Sequence, residues 1–159
     1  QESTPAQQPS EPIQLSEEVT TVQKEVLEST AETYKGPYSE DVQKAHYLVF
    51  VIPNDKIDKA AFIAGIQNFN QSNYASLELA IDEKPLDNFR QIVAITGLPD
   101  KDAAMTYFKI LVQNRDLYAP LGSESYRNFL ISEDNFSVFM NEKNILDYMN
   151  FYKRIYLND

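Results

Sequence analysis

Cysteine is absent from this 159-residue chain, glycine occurs four times and histidine once, at His46. Without cysteine there are no disulfides, no thiolate nucleophile and no cysteine-type zinc site. One histidine excludes a multi-histidine metal site and leaves any His-based triad resting on a residue at the start of an apolar strand, where a satisfied structural role is the stronger reading. Four scattered glycines make no phosphate-cradling loop. No apolar run approaches the roughly 18 residues that span a bilayer. The chain opens on Gln1, and its first residues lack the pattern of a signal peptide, so it reads as a piece of a longer precursor.

Positive charge is also scarce. The chain has 24 acidic against 14 basic side chains, a net of −10. Residues 1–44 carry nine acidic and three basic groups, a net of −6, and residues 45–159 carry fifteen and eleven, a net of −4. No basic stripe is visible, which argues against nucleic acid and against direct attraction to an anionic membrane surface.

What the chain does have is a pattern stated twice. Val49-Phe50-Val51-Ile52 leads to Asp55-Lys56, Ala60-Ala61, Gln67-Asn68, Tyr74-Ala75 and Leu77. Ile92-Val93-Ala94-Ile95 leads to Asp100-Lys101, Ala103-Ala104, Gln113-Asn114, Tyr118-Ala119 and Leu121. A strand, a capped helix and a second strand, repeated once, predict a ferredoxin-like βαββαβ sandwich of the α+β class. The expected strands are Tyr47–Ile52, Leu77–Glu83, Phe89–Thr96 and Tyr126–Ser132. The first and third are continuously apolar and so central; the second and fourth alternate or are polar and so lie at the edges. A 4-1-3-2 antiparallel order follows, with both helices on one face to keep the crossovers right-handed. Asp55 is the expected cap of the first helix, whose buried stripe is Phe62, Ile66 and Phe69 with Ile63 beside it. Asp100 caps a second helix carrying Ala104, Tyr107, Phe108, Leu111 and Val112. Ser132 caps a terminal extension of two short helices, near Glu133–Met140 and Asn144–Tyr156.

Residues 1–44 read as an acidic linker or tail ahead of the 45–159 domain. Its first twelve residues, all but one of them Gln, Glu, Ser, Thr or Pro, cannot offset ordering entropy by burial. Val19, Val22 and Val26, at i, i+3 and i+7, leave open a marginal helix, and Gly36-Pro37 then sets up an extended approach to the first strand.

Catalytic constellations are missing. Asp55/Asp58 and Asp100/Asp102 each open a helix, so capping accounts for them better than acid–base or calcium chemistry. An acylphosphatase-like hydrolase needs an arginine-bearing anion loop after the first strand, where this chain has Ile52-Pro53-Asn54-Asp55. An RNA-stacking sheet needs paired aromatics, where Arg90–Thr96 has none. No enzyme activity, cofactor or metal is expected. The ten tyrosines and nine phenylalanines suit packing and protein contact instead. If the bulkier Leu48, Phe50 and Ile52 face the helices, then Tyr47, Val49 and Val51 face away and form an exposed apolar patch for a partner.

Several positions carry a family likeness: His46-Tyr47 leading a strand, Phe69-Asn70 ending a helix and an Ala-rich second helix. With them go Phe129-Leu130-Ile131-Ser132-x-x-Asn135-Phe136 and Lys143…Tyr148…Tyr152. Over residues 45–157 the chain resembles the C-terminal domain of the PorW/SprE periplasmic lipoproteins of the Bacteroidetes type IX secretion and gliding motility apparatus. That family's helical repeats and lipidated cysteine are not in this sequence. The resemblance implies a non-catalytic periplasmic scaffold that contacts components of the secretion motor and ring, with membrane contact only through a lipid anchor on the parent chain. The alternative is a SPOR-like peptidoglycan-binding module, which shares the βαββαβ plan.

Overall fold

The structure, a computed structural model, describes residues 35–157. The expected linker and its Val19–Val26 helix lie outside the described residues. The chain divides into two units, Gln1–Gly36 and Pro37–Asp159.

The second unit runs β1 (His46–Pro53), α1 (Lys59–Asn73), β2 (Ala80–Pro85), β3 (Arg90–Leu98) and α2 (Lys101–Leu111), followed by a 3-10 helix (Arg115–Leu121). β4 (Arg127–Ser132), α3 (Glu133–Glu142) and α4 (Ile145–Tyr156) complete it. The strands form one antiparallel sheet in the order β2-β3-β1-β4. β1 and β3, the strongly apolar strands, occupy its centre.

Local chemistry explains most boundaries and corrects some. Asp100 and Ser132 cap α2 and α3, their side chains accepting from the backbone N–H groups of Ala103 and Asn135. α1 is capped by Asp58, which accepts from Ala61 N at 3.0 Å, and not by Asp55. Lys56 takes a positive φ of 67°, so the chain turns once more after Asp55 before a helix can start. β2 begins at Ala80, later than the expected Leu77. The cause lies on β3, where the register with β1 slips between His46 and Leu48 and Gly97 sits at φ 100°. This is a bulge that ends the β2–β3 ladder at Ala80↔Thr96. A side chain at Gly97 would place its Cβ 2.7 Å from the Glu78 carbonyl oxygen, so only glycine fits this close approach.

Phe50 stands edge-on to Phe62 of α1 with ring centres 5.0 Å apart, and Leu48 and Ile52 are buried with it. The Tyr107 hydroxyl donates to Asn70 Oδ1 at 2.6 Å, tying α2 to the end of α1. Of the expected α2 stripe, Ala104, Tyr107 and Leu111 are buried, while Val112 is exposed.

The opposite face of β1 is not the open patch expected of Tyr47, Val49 and Val51. Val49 and Val51 are 0 % and 3 % exposed, and the half-buried Tyr47 meets Phe136 of α3 at 5.1 Å. Val49 is paired with Phe129, and Phe129 packs on Phe139, Tyr148 and Tyr152. The reason is aromatic coverage: α3 and α4 lay their rings over this side of the sheet. Each apolar side chain so buried contributes about 1.5–3 kcal/mol.

The domain also starts earlier than residue 45. Tyr38 is buried, edge-on to Tyr148 at 4.9 Å and 5.6 Å from Phe151. Asn135 grips Ser39 twice, accepting from its N–H at 3.0 Å and donating to its carbonyl at 2.7 Å. Lys101 N donates to the Val42 carbonyl. Residues 37–44 are therefore a packed strap.

Candidate functional site

The one histidine, expected to be structural, is engaged as such. His46 is buried, with Nδ1 2.8 Å from the Lys44 carbonyl and Nε2 2.7 Å from the Tyr156 hydroxyl. A carbonyl only accepts, so Nδ1 carries the proton and Nε2 accepts from Tyr156. Burial pushes the imidazole below its usual value of 6.5. Among the described residues there is no group of three or more His, Asp or Glu side chains arranged to hold a metal ion. Nor is any described helix long and apolar enough to cross a membrane.

Where the aromatic cover of α3 and α4 ends, a cleft of about 370 Å³ opens, lined by Val51, Arg90, Ser125, Tyr126 and Arg127. Strand register builds it. Val51 pairs with Ile92 on one side and Arg127 on the other, and Ile92 pairs with Lys84. Directly paired residues project from the same face, so one row across the sheet reads Lys84, Ile92, Val51, Arg127. Arg90 lies two residues before Ile92 and shares that face. Aliphatic side chains thus form the middle of the row and cations stand at both ends.

Its polar and aromatic groups are held in place by their neighbours. Asp87 clamps the hairpin between β2 and β3. Its Oδ2 accepts from Arg90 Nε at 3.0 Å and Nη2 at 2.6 Å, and its Oδ1 accepts from the N–H groups of Phe89 and Arg90. These bonds, above all the one from the Arg90 guanidinium, hold the Asp87 carboxyl below the usual carboxylate range. Asn54 braces the same hairpin by donating to the Phe89 and Asn88 carbonyls. Phe89 is left 79 % exposed beside Arg90 in the chain. Tyr126, 39 % exposed, stacks on Tyr118 at 5.7 Å, and Tyr118 rests against Phe50 and Phe62. Burial raises the Tyr118 hydroxyl to about 12. The Arg127 guanidinium makes no hydrogen bond or ion pair with any described residue.

A second groove, of about 440 Å³, runs between the end of α1 and the start of β2. Gln67, Asn70, Gln71 and Tyr74 line one side, and Leu77, Leu79 and Ile81 the other.

Of the three residues expected to meet a partner, the cleft takes in Val51; Tyr47 and Val49 lie under the α3 and α4 aromatics. Sequence reasoning missed Arg90, Tyr126 and Arg127 as a group. The available signal was register: counting outward from Val49 opposite Phe129 puts Arg127 opposite Val51. No family model matches the chain, and neither a curated protein nor a solved structure matches it.

Proposed function

We propose that this chain is a non-catalytic protein-interaction module on a ferredoxin-like plan, with both α1 and α2 on one sheet face and a C-terminal helical extension on the other. It serves as a periplasmic scaffold in a Bacteroidetes cell-envelope machine of the type IX secretion and gliding kind. The observation that carries the interaction reading is the cleft of Val51, Arg90, Tyr126 and Arg127 beside the exposed Phe89. Tyrosine, phenylalanine and arginine are the residues enriched at interfaces and their hot spots. Here two of them are pre-positioned, Tyr126 by its stack on Tyr118 and Arg90 by its fork to Asp87. The placement in that machine rests on the resemblance over residues 45–157.

Immobilised full chain, incubated with detergent-solubilised Bacteroidetes envelopes, should recover secretion-motor or ring proteins by mass spectrometry. The Tyr126→Ala/Arg127→Ala variant should lose them. Equal recovery by the variant would remove the cleft from the interface.

The second groove favours one other reading, a SPOR-like peptidoglycan-binding module, because three amide side chains and a tyrosine suit a neutral sugar. Recovery of wall material alone, lost on Gln71→Ala, would establish it instead.

A further inference from the structure

We infer that the cleft receives an acidic polypeptide segment, with a carboxylate on Arg127 and an apolar side chain against the exposed ring of Tyr126. This rests on the interaction-module reading and names the partner's chemistry. Three features converge on it. First, the chain is acidic overall, yet cations stand at both ends of the row that crosses this end of the sheet. Lys84 closes one end and Arg127 the other, with Arg90 beside them. Three strand spacings of roughly 4.8 Å separate the ends, a span matching a few residues of extended peptide.

Second, the facing acids leave this charge largely unspent. Asp87 engages Nε and Nη2 of Arg90, while Nη1 has no partner among the described residues. Asp82, paired with Ala94 in the next row, is the acid that the strands themselves place on this face. Arg127 and Lys84 pair with neither. A planar guanidinium matches a carboxylate through two parallel N–H donors. The Arg90–Asp87 fork already shows that geometry at this site.

Third, the wall is a 39 % exposed tyrosine backed by core aromatics, with only the edge of the 3 % exposed Val51 beneath it. A bare inorganic anion would leave that ring without a counterpart, while a peptide side chain covers it. Three cations amid a net charge of −10 are too few for a polyanion such as nucleic acid.

The test uses the full chain labelled with nitrogen-15, titrated with an N-acetylated, C-amidated Glu-Phe-Glu-Leu-Glu peptide, its equally blocked Gln-Phe-Gln-Leu-Gln counterpart and inorganic phosphate. The acidic peptide should give saturable amide shifts centred on Val51, Arg90, Tyr126 and Arg127. Affinity should fall about tenfold for Arg127→Ala, the loss of one charge-assisted pair, and by more for the glutamine peptide, which lacks all three side-chain carboxylates. It should fall less for Arg127→Lys, and it should weaken as salt rises from about 50 to about 300 mM. Unchanged thermal melting would show that both variants are folded. Equal binding of the two peptides, saturation by phosphate at the same affinity, or no shifts in the cleft would each overturn the inference. Failure of the peptide, with cleft-dependent recovery of envelope proteins retained, would leave the interaction reading standing. Loss of that dependence would remove the interaction reading itself.

Discussion

The Tyr156 hydroxyl donates to His46 Nε2 at 2.7 Å, and this one bond joins the last helix to the first strand inside the core. Both groups are buried, so neither has water to turn to if its partner is removed. Tyr156→Phe keeps the ring stack on Tyr152 and strands the imidazole nitrogen. The expected cost is about 1–3 kcal/mol, read as a lower urea midpoint at unchanged slope. A midpoint equal to that of the parent chain would show that the bond contributes nothing.

The same imidazole sets a pH dependence. Burial lowers His46 below 6.5 in the folded state, and Lys101 opposes its protonation further, while the Lys44 carbonyl, Asp100 and Asp41 pull the other way. Below pH 6.5 the unfolded chain therefore binds a proton that the folded chain refuses. This part of the stability is complete above 6.5 and is lost as pH falls from there toward the folded value. An NMR titration of the His46 ring should give a midpoint below that of a free histidine. A midpoint at or above 6.5 would reverse the sign.

The bulge on β3 makes Gly97→Ala costly. A Cβ would meet the Glu78 carbonyl oxygen at 2.7 Å, at a φ of 100°. Disfavoured backbone of this kind costs about 1–3 kcal/mol, and the contact adds to it. Alanine at Gly122, where a Cβ meets nothing within 4 Å, isolates the backbone share, since its φ of 61° with ψ −139° is likewise a conformation that favours glycine. The Gly97 variant should melt well below the Gly122 variant.

Two aspartates three positions apart should separate cleanly. Asp58→Ala removes the cap on Ala61 N and should cost about 1 kcal/mol. Asp55→Ala removes an exposed side chain with no hydrogen bond to a described residue and should stay within about 0.5 kcal/mol. Thermal melts of the two variants decide which one starts the helix.

Much of the framework was legible because its determinants are local. The apolar runs Val49–Ile52 and Ile92–Ile95 mark buried central strands, and the caps Asp100 and Ser132 act within three residues of themselves. The errors arose where distant atoms decide. Lys56 at positive φ moved the first helix start to Asp58, and the bulge at Gly97 withheld Leu77 and Leu79 from β2. Tyr38 looked like linker because its partners, Tyr148 and Phe151, lie over a hundred residues away. The cleft depended on register. Only the pairing of Val51 with Arg127 and Ile92 brings the cations together, and no spacing along one strand announces it.

The strap at residues 37–44 has a consequence for synthesis. Tyr38 leaves the ribosome well before the rings that enclose it, which belong to α4, and Phe129 has only Phe139 of α3 against it until Tyr148 and Tyr152 follow. A nascent chain halted before Ile145 therefore leaves one side of its sheet covered by the α3 rings alone. Vectorial translation cannot close this domain piecemeal; its first and last described segments must be free together before either is at rest.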